Sequence, residues 1–267
     1  MKTTSKPGKI LRTPLTAAKA KGVQGNDINE LKQKFLSVTA HDFRTPLNTI
    51  TLATELLERH YDSLSRQDIF SQLTAIKTAA TYMNTIINDF LAVEKIEQHK
   101  NEPEVAGFDL KDFTQSVIAA MKRQTKDWQD IKYQHAGASS QVALNKNMLQ
   151  HCLTNLISNA IKYSDVADHI EVGTEIVGDM CMIWVKDYGI GIPDKEKKNL
   201  FEPFFRASNA SGIEGTGLGL NIVKRYTELM GGSVEVKSDK KKGTIFTLVF
   251  PLTPWHRKHS DKDHAKL

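Results

Sequence analysis

His41 stands next to a carboxylate, Asp42, in the run Val38-Thr39-Ala40-His41-Asp42-Phe43-Arg44-Thr45-Pro46-Leu47. An unperturbed imidazole titrates at about 6.5, so its neutral, nucleophilic form is available near neutral pH. One ring nitrogen can then attack an electrophile while a carboxylate holds the N–H of the other. Thr45 lies four residues past His41 and three past Asp42, one helical turn on, so a hydroxyl reaches the same neighbourhood. His41 with its carboxylate looks like a phosphate acceptor.

A donor site can be assembled from residues further along. Asn155 and Asn159 are four apart, on one face of a predicted helix. A carboxamide oxygen can ligate Mg²⁺, which bridges phosphate oxygens. Lys162 adds positive charge, and Tyr163 can close over a ring or phosphates. Asp187 ends an apolar strand, where a buried carboxylate can accept a hydrogen bond from an exocyclic amine and so select adenine over guanine. Gly189 and Gly191 let the backbone approach the base. The run Phe201-Glu202-Pro203-Phe204-Phe205-Arg206 is an aromatic patch in a polar region. Gly215-Thr216-Gly217-Leu218-Gly219-Leu220 opens a helix whose first N–H groups can hold phosphate. An Asn pair or a GxGxG run alone is common; their succession in one chain is what carries weight.

Two kinds of element must position these groups. Ile28, Leu31, Phe35 and Val38 form a helical seam that resumes at Phe43, Leu47, Ile50, Thr54 and Leu57, with a one-residue slip around His41. Pro46 has no N–H, so the carbonyl of Asp42 loses its helical partner and a bend is expected there. Residues 58–67 read as a turn, with Ser65 and Asp68 as a capping box. Ile69, Leu73, Ile76, Ala80, Met83, Ile87 and Phe90 then repeat in steps of four and three, the spacing of a helical-bundle seam. Two such helices bury their stripes poorly alone, which predicts a homodimer through residues 27–98, a four-helix bundle.

Asn101-Glu102-Pro103-Glu104 breaks the helix and marks a domain boundary. Strands are predicted near 105–108, 131–135, 169–177, 180–187, 233–238 and 244–250, and helices near 110–126, 146–162 and 218–230. Gly178-Asp179 reads as a hairpin turn. The long polar stretch between Asp194 and Glu214 reads as a mobile lid. The fold class is thus α followed by α/β. A linker or disordered tail is expected over 1–26, a helical-hairpin dimerisation domain over 27–100, an α/β sandwich with a mixed sheet over 105–252, and a disordered tail over 253–267.

These motifs, in this order, closely resemble the bacterial histidine kinases of two-component signalling. Residues 35–47 are similar to their H-box, 155–163 to the N-box, 187–193 to the G1 box, 201–206 to the F-box and 215–220 to the G2 box. Gly243-Thr244-Ile245-Phe246 is similar to the closing strand motif. The resemblance implies a phosphotransfer domain and a catalytic domain of the GHKL (Bergerat) fold, with ATP and Mg²⁺ as cofactors. It implies that His41 is the phosphoacceptor and that Asp42 orients or deprotonates it, although Glu is commoner there. It further implies that Asn159 holds Mg²⁺, that Asn155, Lys162 and Tyr163 surround the triphosphate, and that Asp187 recognises adenine. Gly189, Gly191, Gly215, Thr216, Gly217, Leu218, Gly219 and Thr244 complete the nucleotide site, and Arg206 resembles the residue that approaches the γ-phosphate. The acid-x-x-Thr pattern of Asp42 and Thr45 resembles a phosphatase signature acting on a response regulator's receiver domain.

Charge and composition narrow the alternatives. The net charge is +5, but Lys2, Lys6, Lys9, Arg12, Lys19 and Lys21 give residues 1–26 six cations and no acid, leaving −1 elsewhere. The basic character belongs to the tail, which argues against a nucleic-acid partner. No apolar run approaches the roughly 18–20 residues of a membrane span. A cytoplasmic protein, or the cytoplasmic part of a membrane-bound kinase, is expected. Cys152 and Cys181 read as buried thiols, and no zinc spacing occurs. The rival enzyme is a gyrase-type GHKL ATPase, which places a glutamate base four residues before the metal-binding asparagine. Asn155 stands there instead and cannot take a proton from water.

Overall fold

The computed structural model describes residues 25–98, 105–126, 128–164, 169–210, 212–213, 215–240 and 242–252. Within the first two helices, side chains are described from Phe43 to Glu94. Of the tail expected over 1–26, residues 1–24 lie outside the described residues, as do 253–267 and the boundary at 101–104, while Gly25 and Asn26 belong to a helix instead.

Helix α1 runs Gly25–His60 and α2 runs Arg66–Gln98. The turn between them is closed by the expected capping box. The Asp68 backbone N–H donates to Ser65 Oγ at 3.1 Å, and Asp68 Oδ2 accepts from the Ser65 backbone N–H at 3.2 Å and its hydroxyl at 2.6 Å. Two otherwise orphaned N–H groups are satisfied, which fixes where α2 begins. Pro46 sits inside α1 and is buried.

The buried stripe of the hairpin differs from the sequence seam. Ala53 on α1 and Ala79 and Ile86 on α2 are buried, while Leu47, Leu73 and Ile87 stand 53%, 53% and 43% exposed. Ile50, Leu57, Ile69, Ile76, Met83 and Phe90 of the seam are half-buried, so the seam lies partly in the hairpin contact and partly beside it.

Beyond the hairpin, β1 (Ala106–Asp109), β2 (Asp130–Ala136), β3 (Gln141–Leu144), β4 (His169–Val177), β5 (Met180–Asp187), β6 (Ser233–Asp239) and β7 (Gly243–Pro251) alternate with helices. These are α3 (Leu110–Met121), α4 (Lys146–Tyr163) and α5 (Gly219–Leu229). Five strands form one mixed sheet in the order β2-β4-β5-β7-β6; β2 and β4 are parallel and the other pairs antiparallel. β1 does not join it: it pairs with β3, absent from the sequence expectation, in a separate two-stranded ribbon. Gly178, at φ 58, turns β4 into β5 as expected.

Alternation fixes the layers. Along β5, Cys181, Ile183, Val185 and Asp187 are buried and the residues between are not, so one face meets the helices and the other is half-open. Asn145 caps α4, its Oδ1 accepting from the Met148 N–H at 2.9 Å. α4 and α5 pack against each other, and Cys152, Leu156, Ile222 and Val223 fill the layer above the sheet. Both cysteines are free and buried, and burial pushes each thiol up to about 12. Ala92 and Val93 of α2 belong to this same core, and the Tyr226 hydroxyl of α5 donates to the Ala92 carbonyl at 3.4 Å. The foot of the hairpin is therefore seated on the globular half. Among the described residues, no helix is long and apolar enough to cross a membrane.

Candidate nucleotide site

One cavity opens between α4, the end of β5, β7 and the start of α5. Asn155, Asn159, Lys162, Tyr163, Asp187, Gly191, Arg206, Gly215, Thr216, Gly217, Gly219 and Thr244 all line it. The sequence reading is thereby brought together from segments up to 89 residues apart. Leu218 is buried beneath the loop. Gly189 does not line the cavity; it packs on the C-terminal end of α4, where a Cβ would meet the Tyr163 carbonyl. The chain just after it is tied there by the Ile190 N–H, which donates to the Tyr163 carbonyl at 3.2 Å.

Asp187 anchors the floor. It is placed by β5, whose register pairs it with Thr244 of β7. Its Oδ1 accepts from the backbone N–H groups of Gly189 (2.9 Å) and Thr244 (3.2 Å). Oδ2 has no hydrogen bond among the described residues, which leaves it for a ligand. Burial raises the carboxyl to about 6, and the two backbone donors offset part of that rise. The Thr244 hydroxyl bonds that of Ser238 at 2.8 Å, which holds the strand end beside Asp187.

α4 supplies the wall. Asn155 donates from Nδ2 to the His151 carbonyl one turn back at 3.2 Å. Its Oδ1 lies where α5 begins: a Cβ at Gly219 would come within 2.5 Å of it, so only glycine allows this approach. Asn159 lines the cavity, half-buried, and makes no side-chain hydrogen bond among the described residues. Its carboxamide oxygen is thus available to a cation, and Mg²⁺ fits the oxygen-donor chemistry present. Tyr163 is half-buried; burial raises its hydroxyl and the nearby Arg206 charge lowers it, with burial dominant.

The glycine-rich loop is held by the aromatic patch. The Phe204 N–H donates to the Gly217 carbonyl at 3.0 Å. Phe204 has φ 64 and Gly217 has φ 71. A Cβ at Gly217 would fall 2.7 Å from the Phe204 carbonyl carbon. A bulky residue in the left-handed region costs on the order of 1–3 kcal/mol, strain that gathers at working sites. Leu218 makes no side-chain cap on α5, so the first turn of that helix keeps donors for an anion.

Two placements differ from a ready-made phosphate site. Arg206 gives its Nη2 to the carbonyls of Ala210 (3.2 Å) and Ile213, both in its own loop. Thr216 gives its hydroxyl to Asp89 of α2 at 2.6 Å. Asp89 and Thr85 line the cavity, and the sequence reading missed both, because it placed the α2 seam at Ile87 and Phe90. The polar stretch after Asp194 contains two 3₁₀ turns, Asp194–Asn199 and Ser208–Ala210. They are tied together by Glu196, which accepts from the Ser208 N–H (2.9 Å) and hydroxyl (2.6 Å). Asn209 donates to the Gly191 carbonyl at 2.8 Å.

His41 and Asp42 lie on the backbone of α1, and their side chains lie outside the described residues. Thr45 is exposed on α1. With Pro46 and Thr49 it edges a groove whose other wall is Ser71, Thr74, Thr78 and Tyr82 of α2.

Comparison with known proteins agrees with both halves. Residues 31–99 match the His Kinase A (phospho-acceptor) domain, and 145–254 match the Histidine kinase-, DNA gyrase B-, and HSP90-like ATPase family. The sensor histidine kinase RcsC of Escherichia coli is 32% identical over 84% of this chain and 24% of that protein. A sensor-like histidine kinase of Rhizobium meliloti is 29% identical over 88% of this chain and 45% of that protein. The chain therefore spans less than half the length of these relatives. Among solved structures, the Acinetobacter baumannii histidine kinase AdeS superposes with TM-score 0.58 at 21% identity, covering 80% of this chain and 98% of that one. ThkA, solved with the response regulator protein TrrA, superposes with TM-score 0.60 at 20% identity, covering 86% and 64%.

Proposed function

Because the chain joins a phospho-acceptor domain to a kinase-type ATPase domain, it belongs to the sensor histidine kinases, and on that premise we propose that it moves the terminal phosphoryl group of ATP onto His41. The observation that carries the reading is the convergence of Asp187, Asn159 and the uncapped start of α5 on one cavity, in a chain that also presents an imidazole beside an acid. Residues 27–100 form the dimerisation and phosphotransfer unit and 105–252 the ATP-binding unit.

Asp187 Oδ2 accepts from the adenine amine. Asn155, Lys162, Tyr163 and the Gly215–Gly219 loop enclose the triphosphate, and Arg206 reaches the γ-phosphate once it leaves its loop carbonyls. Asn159 would hold Mg²⁺, which would offset charge on the phosphate oxygens. A ring nitrogen of His41 attacks the γ-phosphorus in line; the N–P bond forms as the bond to the β-phosphate oxygen breaks, and ADP leaves with that electron pair. Asp42 holds the other ring N–H. The phosphoryl group then passes to an aspartate of a separate response regulator, in keeping with the ThkA complex. The reaction runs in the cytoplasm, where ATP is supplied. Thr45, one turn from Asp42, positions water for the reverse duty, dephosphorylating the regulator.

Incubation with γ-labelled ATP and Mg²⁺ tests the proposal. Label that is acid-labile, alkali-stable and absent from His41→Gln is expected. An acid-stable label means a hydroxyl acceptor and overturns it. Hydrolysis that persists in His41→Gln, with no phosphoprotein from the wild type, selects the gyrase-type ATPase instead.

A further inference from the structure

We propose that Asp89 of α2 is an internal competitor for the nucleotide's terminal phosphates, a carboxylate that occupies the anion position at the glycine-rich loop and must be displaced for ATP to bind fully. The inference rests on the nucleotide reading of the cavity and adds a residue outside every nucleotide motif of the sequence.

The geometry is a relay. The Leu218 N–H, one of the donors at the head of α5, turns onto Thr216 Oγ1 at 3.2 Å. The Thr216 hydroxyl in turn donates to Asp89 Oδ2 at 2.6 Å. A negative charge from α2 is thus connected to the helix terminus that would otherwise face phosphate. Asp89 is only 6% exposed. Lys162, the cation of the cavity wall, acts on it, while Arg206 bonds to loop carbonyls. Burial pushes the Asp89 carboxyl up to about 6, with Thr216 and Lys162 pulling it down, so the group is mostly ionised at neutral pH. A triphosphate entering beside it would share Lys162 with a second anion in a site of low polarisability, where like charges repel strongly. The contact is anchored one turn further on, where Ala92 and Val93 join the core and Tyr226 bonds the Ala92 carbonyl. Nucleotide affinity therefore depends on where α2 sits.

Calorimetric titration of the full chain with adenosine, ADP and the non-hydrolysable analogue AMPPNP, in Mg²⁺, decides the matter. Asp89→Asn keeps the shape and an acceptor for Thr216 but removes the charge. It should tighten AMPPNP on the order of tenfold, ADP less, and adenosine not at all, since repulsion scales with ligand charge. Asp89→Ala should give the same ranking. Equal AMPPNP affinity in wild type and both variants overturns the proposal while leaving the nucleotide site standing. Weaker AMPPNP binding also overturns it, and marks Asp89 as support for the cation. A uniform change that includes adenosine overturns it in favour of a reshaped pocket. Failure of wild type and variants alike to bind any of the three removes the nucleotide reading itself, and this inference with it.

Discussion

Asp187 is a carboxylate whose job and whose contribution to stability pull in opposite directions. Its folded-state pKa is raised from 3.8 to about 6 by burial. The native state therefore binds the proton more tightly than the unfolded chain. Stability from this group is fully present below about pH 4 and is lost as pH rises through about 6. A shift of about two units corresponds to roughly 3 kcal/mol at neutral pH, at about 1.4 kcal/mol per unit. Asp187→Asn should then raise unfolding free energy by about 2 kcal/mol at pH 7.5, with no gain at pH 4, while losing adenine nucleotide. Urea denaturation at the two pH values, with a binding titration, checks both halves; a variant less stable at pH 7.5 would refute the account. Asp187 was legible because a strand end and two glycines frame it. Asp89 was not: on an amphipathic helix it reads as a solvated acid, and only packing between segments 127 residues apart buries it against Thr216.

At the level of elements, the capping box at Ser65 and the glycine turn at Gly178 could be read because their chemistry is local. The hairpin's inner stripe could not. A seam of four-three spacing says which residues are apolar, but not which are buried most deeply: Ala53, Ala79 and Ile86 are buried, while Ile50, Ile76, Met83 and Phe90 of the seam are half-buried. β3 was hidden for a similar reason: four residues, Gln141–Leu144, give too short an alternation to separate from loop. The 3₁₀ turns after Asp194 depend on Glu196 reaching Ser208, again a contact between segments. α1 offers its own test. Thr45 is exposed beside Pro46 at the hairpin groove, so Thr45→Ala should leave autophosphorylation within about twofold, as surface substitutions usually do, and lower the rate at which a phosphorylated regulator is dephosphorylated. Equal loss of both activities, measured with one purified regulator, would remove the separate role of this hydroxyl.

The whole molecule presents more apolar surface than a lone hairpin should. Leu52 and Phe70 stand 65% and 71% exposed, and Leu47, Leu56, Leu73, Ile87 and Leu91 join them. Large apolar side chains left exposed along both helices point to an interface, and a second copy would complete four helices. Light scattering should give twice 29.9 kDa for the chain, and Leu73→Glu should shift it to the single mass at micromolar concentration. A single mass for the unaltered chain would leave the patch without its expected cover.

The seating of Ala92 and Val93 in the globular core has a further consequence. A displacement of α2 would reach α5 through the Tyr226 hydroxyl and the Ala92 carbonyl, and α5 begins at the glycine-rich loop. Thermodynamic reciprocity then applies. By whatever factor a twist of the rod alters nucleotide retention, a bound nucleotide alters the ease of that twist by the same factor. Occupancy of the loop would thus set, by that factor, how readily α2 shifts.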